Sequence, residues 1–570
     1  MIRKSGAFRL HDRRSSLKKI QVKAYLKDPL IAEHRPLVGL TTIPVDGEAV
    51  IGDGPTNARV AVVDYNADLG EVFAPVRLKA DGTGFVVGRG DPRFNVHFHQ
   101  ASVWAVVNRT LAELEGSHIF GRRIPWAFDR GRLLVLPHAG YWENAYYDRE
   151  SGALHFFYFE GPNGKPVYTC LSHDIVTHEL GHAILDGLKP YYNEVSSPGT
   201  AGFHEYFGDA VAMTAGLTHR EIAVDVVGRM GGLGKNNLIA GIAAEFGTAT
   251  SKQVYGDLSE HYLRSGDNTL TMDDLKGVYE EHDYALVLVG AYYDLLKGFY
   301  ERNLKDIVGS KPSKGNDRVR ALMRAAQITA RMTLRAIDYC NPVDLSYSDY
   351  ASAILRADAI AYPVDTQRYR ELAIGVFKKR KIIRKASELE PEFPVNNSDL
   401  RDLDIERLGA SRTDAYHFVN SNRLALHLPP EVNIEMTDLC RTRKTSAQDF
   451  RLPHETILQF VWPEPFRVSG AEYGEMSGAD VTLWCGGTLV FDSEGNVLHY
   501  TLKLGTEARR KTLAKYMAYL IREGYFSLDD GERGLGARGQ GGNVVIGRMQ
   551  RGVLRMSKSA AFRHKRRVEV

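Results

Sequence analysis

The sequence predicts an α+β fold: a β-rich N-terminal lobe, a mainly helical lobe after it, and a small α+β domain at the C-terminal end. Three observations carry this. Apolar runs of strand length recur up to about residue 171, and from about 172 to 379 nearly every segment has apolar positions at helical spacing. Residues 386–400 (ASELEPEFPVNNSDL) then combine prolines, acids and asparagines as a linker does. The boundaries that follow are a basic N-terminal extension at 1–55, a β-rich lobe at 56–171, a helical lobe at 172–385 and the linker at 386–400. An α+β domain at 401–530 and a Gly/Arg-rich basic tail at 531–570 complete the chain.

The first strand signal is RVAVVDY at 59–65, rich in valine. Residues 94–115 carry a helical pattern that Gly116 ends, and strand signals return at 133–137 and 153–159. In the second lobe, 284–302, 318–339, 347–361 and 366–379 are long and periodic enough to be separate helices. Past the linker, 481–491 and 497–504 flank the turn-rich DSEGN at 492–496, a hairpin pattern, and a helix follows at 507–523. The glycines of GERGLGARGQGG lack a following Gly-Lys-Ser/Thr and read as a flexible linker rather than a phosphate loop, and RHKRRVEV reads as a solvated tail.

At 570 residues, 44% hydrophobic and 25% charged, the composition is that of an ordinary globular protein with room for several domains. A net charge of +3, from 73 basic and 70 acidic residues, provides no global field toward nucleic acid or anionic lipid, so neither is expected as a partner. Four scattered cysteines imply neither a disulfide framework nor a cysteine metal site. The N-terminus is polar and basic with no secretory apolar core, and no apolar run spans a bilayer. The expected location is the cytoplasm; the alternative is export without a cleavable signal. Oligomeric state has no signature.

The chemistry concentrates at His178-Glu179-Leu180-Gly181-His182, an HExxH pattern. Residues four apart on a helix share a face, so both imidazoles reach one ion while Glu179 stands beside it without binding. Ser172 serves as N-cap, Ile175, Leu180, Ala183, Ile184 and Leu188 supply apolar surface, and Gly187 with Pro190 supplies the stop. With 19 histidines in 570 residues, chance gives roughly 0.04 such matches, which disfavours coincidence. A catalytic zinc takes three protein ligands and leaves the fourth position to water. Glu205 and Asp209, four apart on the next helix, complete the set: Glu205 as third ligand, Asp209 as acceptor for the outer N–H of a ligand histidine. His204 points about 100° away around the helix and is expected to support or pack rather than bind.

This constellation resembles the thermolysin-like metallopeptidases, the gluzincins, over residues 55–380. Their pattern HExxH followed by ExxxD is met by His178, Glu179, His182, Glu205 and Asp209, and Asp174 and Asp186 also stand where the family has aspartates. The segment ENAYY at 143–147 is similar to the family's edge strand, which implies that Asn144 and Ala145 bind the substrate backbone. Leu263-Arg264-Ser265 is similar to the family's arginine segment, and His282, at the start of a long helix, to its oxyanion-stabilising histidine. The hairpin between His182 and Glu205 is longer than in the family, so its tyrosine falls on Tyr192, with Tyr191 the other candidate. Five residues before His282 stands Gly277 instead of an orienting aspartate, leaving Asp273, Asp274 or Glu280 for that role. Gly216 stands where a calcium ligand is expected, so no calcium site is expected. The secretory signal and long propeptide of the family are not seen, and nothing after residue 400 resembles it.

The resemblance implies one zinc per chain and hydrolysis of internal peptide bonds in a protein or peptide substrate. Zinc supplies an activated water, Glu179 acts as general base, and His282 with Tyr192 or Tyr191 stabilises the oxyanion. Ile175 and Leu263 are candidates for an apolar pocket or for ordinary core. Three other readings remain open: a zinc aminopeptidase, though no GxMEN-like segment is present to hold a substrate amino terminus; a target-selective effector or binding protein with restricted proteolysis; and a scaffold without catalysis, which the full set of motif residues disfavours.

Overall fold

The computed structural model describes residues 19–47, 51–161, 164–228, 232–234, 237–250, 262–390, 392–446, 450–529 and 545–558. The glycine-rich 531–542 and the basic end at 563–570 lie outside the described residues. The rest is a mixed α+β fold, as the sequence predicts. No helix among the described residues is long and apolar enough to cross a membrane.

The stretch expected to be an extension is part of the fold from residue 20 onward. Ile20, Val22 and Ala24 alternate inward along the strand Ile20–Tyr25, which pairs antiparallel with Leu40–Val45. Just after it, the buried Lys27 ammonium donates to Asp174 at 2.8 Å, so the N-terminal hairpin is tied to the helix that carries the HExxH motif. Pairing and burial across 147 residues leave little trace in a one-dimensional pattern, which is why this stretch looked peripheral.

In the first lobe, Val60–Val62, Leu133–Leu136 and Ala153–Phe156 lie parallel in that order, and Ala145–Asp148 closes the sheet antiparallel to the last of them. Ala145–Asp148 is therefore an edge strand. Behind the sheet runs the helix Val96–Glu115, capped by Asn95 and ended at Gly116.

In the second lobe, the helix His173–Leu188 starts where the Ser172 side chain accepts the Ile175 N–H, and Pro198–Leu217 where Ser197 accepts that of Thr200. These two helices approach unusually closely because two glycines face each other. A Cβ on Gly208 would stand 2.7 Å from the His178 ring, and one on Gly181 would stand 2.8 Å from Gly208 Cα. The helices Glu281–Val308, Gly315–Arg335 and Tyr347–Ala361 pack on the Pro198–Leu217 side of this pair, and Tyr369–Lys379 packs outside them on Glu281–Val308 and Tyr347–Ala361.

The C-terminal domain has its own core around Leu458, Phe460, Trp462 and Leu489, covered by the helix Glu507–Arg522. The predicted hairpin is present, with Asp480–Phe491 and Val497–Lys503 flanking the turn. The linker contains short 3-10 turns, and its Phe393 and Val395 pack on this core. One expectation fails: residues 545–558, assigned to a tail, form the antiparallel strands Val545–Gln550 and Val553–Lys558, which extend the domain's sheet. Val545, Leu554 and Met556 are buried there, so hydrophobic alternation, not the glycine-rich approach, decides this segment. Buried charge joins domain and helical lobe: Asp338 takes both Arg122 and Lys444 at 2.8 Å.

Candidate metal centre

The two helices with facing glycines bring three side chains to one point between the lobes. His178 and His182 Nε2 are 3.1 Å apart, and the Glu205 oxygens stand 3.5 Å from each. Two ligands of a tetrahedral ion held at 2.0–2.1 Å are about 3.3 Å apart, so the triad has the spacing that such an ion requires. All three side chains are buried, and Glu205 Oε1 has no hydrogen-bond donor among the described residues. A metal ion held between the three side chains, or a water, would satisfy it.

Neighbouring groups orient the three side chains. Asp209 Oδ1 lies 2.8 Å from His178 Nδ1 and takes Arg264 at 2.9 Å. His182 is held by His204, whose Nδ1 stands 3.0 Å from His182 Nδ1. Sequence spacing had turned His204 away from the ligands, and it does not bind in their place; it meets His182 from the side. Arg264 arrives on the short strand Arg264–Ser265, with Nη1 3.5 Å from Glu205. His282 Nε2 is 3.2 Å from Glu205 Oε2, and its Nδ1 pairs with Glu280 at 2.7 Å. Of the three acids left open for orienting His282, Glu280 is the one; Asp273 pairs with Arg384, and Asp274 accepts from Thr271.

The charges explain one another. Burial alone would depress His178 and His282, but the hydrogen bonds of His178 to Asp209 and Glu205 lift it to about 9, and Glu205 with Glu280 lifts His282 to about 10. Burial wins at His182, which falls to about 4. Glu205 is held well below the carboxylate range against burial, chiefly by His282 and His182. Without an ion, protons supply the positive charge that this anionic cluster demands, and a metal can take their place.

Glu179 is fully buried next to the histidines, and its Oε2 accepts the Tyr147 N–H at 3.0 Å. That N–H therefore points off the open side of the edge strand. Alternate residues of a strand face the same way, so the Ala145 backbone shares this edge, with Asn144 just before it. Ile175 and Leu263 line one small pocket together with Ala145, His178 and Glu179.

The tyrosine expectation does not survive. Tyr192 sits in the 3-10 turn Pro190–Asn193, its ring buried against Phe203 and its hydroxyl donating to the Asn341 carbonyl at 2.7 Å. The turn rotates it into the core, away from the triad. Tyr191 leans on Trp484 and donates to Glu435 of the C-terminal domain. Asp174 and Asp186 serve structure: Asp174 takes Lys27, and Asp186 takes Tyr147 and Arg149, both at 2.8 Å.

Sequence reading missed Gly181, Gly208, Glu281 and Lys558. The glycines had a visible signal, one in each motif at the position facing the other helix. Glu281 stood unremarked beside His282, and Lys558 lies in the misassigned tail. Among the described residues a second cluster, His99, His138 and Cys170, also gathers potential ligands. There His99 Nδ1 and His138 Nε2 are 2.7 Å apart, a hydrogen-bond distance, and the chain continues from His138 to Asp64 at 2.8 Å. It reads as a buried hydrogen-bonded network. No protein family and no curated protein matches the chain.

Proposed function

We propose that this protein is a zinc-dependent endopeptidase, with His178, His182 and Glu205 holding the metal. One observation carries the reading: Glu179, beside the two imidazoles, also touches the open edge of Ala145–Asp148. Candidate base, candidate ligands and a strand edge able to pair with an extended peptide thus meet in one place. Such pairing uses main-chain atoms alone and suits substrates of varied sequence.

Bound in the triad, zinc would supply Lewis-acid activation of a water and of the scissile carbonyl. Glu179 accepts the proton of the attacking water and returns it to the leaving amine. His282, whose Nδ1 pairs with Glu280 and whose Nε2 faces Glu205, donates from Nε2 to the oxygen that gains negative charge. Asn144 and Ala145 align the substrate backbone. Ile175 and Leu263 give the position next to the bond that breaks an apolar lining. Arg264 and Asp209 hold His178 and Glu205 in place throughout.

The test is cleavage of a peptide blocked at both ends with an apolar residue in its centre, followed by mass spectrometry. The expected result is a single internal cut that chelator abolishes and zinc restores. A zinc-loaded protein that leaves such peptides intact but trims free amino termini would instead be an aminopeptidase. Loaded protein inert on both, yet active on one macromolecular target, would favour restricted proteolysis.

A further inference from the structure

Glu281 opens the helix that carries His282 and is 1% exposed. Its Oε2 pairs with the Lys558 ammonium, while its Oε1 meets no donor among the described residues. A Glu281 oxygen, a Glu205 oxygen and a His282 nitrogen all lie within 4.8 Å of one another. Lys558 ends the strand Val553–Lys558 of the C-terminal domain, and that strand is fastened to the loop joining the two ligand helices. The Val195 N–H donates to Met556 O at 3.0 Å, Asn193 Nδ2 to Lys558 O at 3.0 Å, and Arg555 pairs with Glu194 at 2.7 Å. The position of the ammonium is thus built into the domain interface.

A buried carboxylate with an oxygen within 4.8 Å of the Glu205 carboxylate is a candidate fourth ligand. Catalytic zinc sites keep the fourth position open, whereas four protein ligands make a closed, structural site. We propose that Lys558 is a positioning residue: by pairing with Glu281 it holds that carboxylate off the metal and keeps the substrate position open. The inference rests on the reading of His178, His182 and Glu205 as a catalytic metal centre. It makes the C-terminal domain part of the site, since without the strand Val553–Lys558 Glu281 is free to close the triad.

The test uses full-length Lys558→Met, read by zinc competition against a chelator and by peptide cleavage. Removing a cation near a divalent ion and releasing an anionic ligand both favour the metal, so zinc should be held roughly tenfold more tightly. Cleavage should fall by about tenfold or more because the open position is filled. Opposite movement of the two readouts is the signature, for simple loss of packing would weaken both. Lys558→Arg should keep both near wild type, and the double variant Glu281→Gln with Lys558→Met should recover cleavage, because the amide is neutral and a poor ligand. The proposal is overturned if Lys558→Met loses zinc and activity together, leaves both unchanged, or is not rescued by Glu281→Gln. Wild-type protein that takes up no zinc overturns the site itself and this inference with it, so the wild-type control tells the two failures apart.

Discussion

Asp209 Oδ1 stands 2.8 Å from His178 Nδ1, one helical turn beyond Glu205. The carboxylate can only accept there, so Nδ1 carries a proton, and a metal that displaces the proton on Nε2 would meet its lone pair on the side of His182 and Glu205. Removing this acceptor should loosen the metal without dismantling the fold. Asp209→Ala should weaken zinc affinity by about ten- to a hundredfold, measured by chelator competition. Unchanged affinity would show that Asp209 does not orient the ligand.

Stoichiometry separates the two histidine clusters. Purified protein should carry one zinc per chain, lost in His182→Ala and in Glu205→Ala, because His178, His182 and Glu205 have ligand spacing while His99 and His138, at 2.7 Å, are hydrogen-bonded. Metal analysis checks this. One full equivalent persisting in the His182→Ala and Glu205→Ala double variant would move the metal elsewhere.

The facing glycines make a steric prediction. A methyl group at Gly208 would stand 2.7 Å from the His178 ring, closer than any Cβ contact tolerates, so Gly208→Ala must push the ring or the whole helix aside. Zinc affinity should fall at least as far as in Asp209→Ala. Gly216→Ala, on the same helix but 3.8 Å from its nearest neighbour, should bind zinc like wild type. Equal behaviour of the two alanine variants would remove the packing argument.

What the sequence disclosed here was local. His178, His182, Glu205 and Asp209 follow from the four-residue period of a helix, and Ser172 marks where the first of those helices starts. The helix Tyr347–Ala361 was likewise written in its apolar period, and the turn at 492–496 in its turn residues. Contacts between distant segments were not. The Lys27–Asp174 pair, the Asn341 carbonyl that captures Tyr192, and the Lys558–Glu281 pair each join elements far apart in the chain. Tyr192 shows the limit most clearly, since one residue's rotation in a 3-10 turn decides whether a hydroxyl faces the site or the core, and spacing counted along the chain does not encode it.

The buried network in the first lobe sets a pH dependence. Burial, aided by the neighbouring His138, pushes His99 down to about 3, against an ordinary value near 6.5. Between those values the unfolded chain takes a proton that the folded chain refuses, so stability is present above about pH 6.5 and is lost as pH falls toward 3. For this residue alone the slope is at most about 1.4 kcal/mol per pH unit. In His99→Gln, denaturant midpoints measured between pH 6.5 and 4 should fall less steeply than in wild type. An equal slope would mean that His99 is not held neutral by the fold.

The last prediction separates the base from the ligands. Glu179 lies between His178 and His182 in sequence, yet its Oε2 is engaged with the Tyr147 N–H at 3.0 Å and it does not belong to the triad. Glu179→Gln should therefore leave zinc content near one per chain. The amide keeps the size of the carboxylate and, through its carbonyl oxygen, the bond to Tyr147, but it cannot take a proton from water. Cleavage should then drop by about 10²-fold or more, general-base catalysis being worth roughly 10²–10⁴, with kcat carrying the loss and KM little changed. His282→Ala should also keep its zinc while losing about 10²–10³ in kcat, the effect of removing one oxyanion donor. Zinc analysis beside steady-state kinetics decides the matter: a zinc-loaded Gln variant that cleaves near the wild-type rate removes Glu179 as the base, and a Gln variant without zinc shows that Glu179 supports the ligands instead.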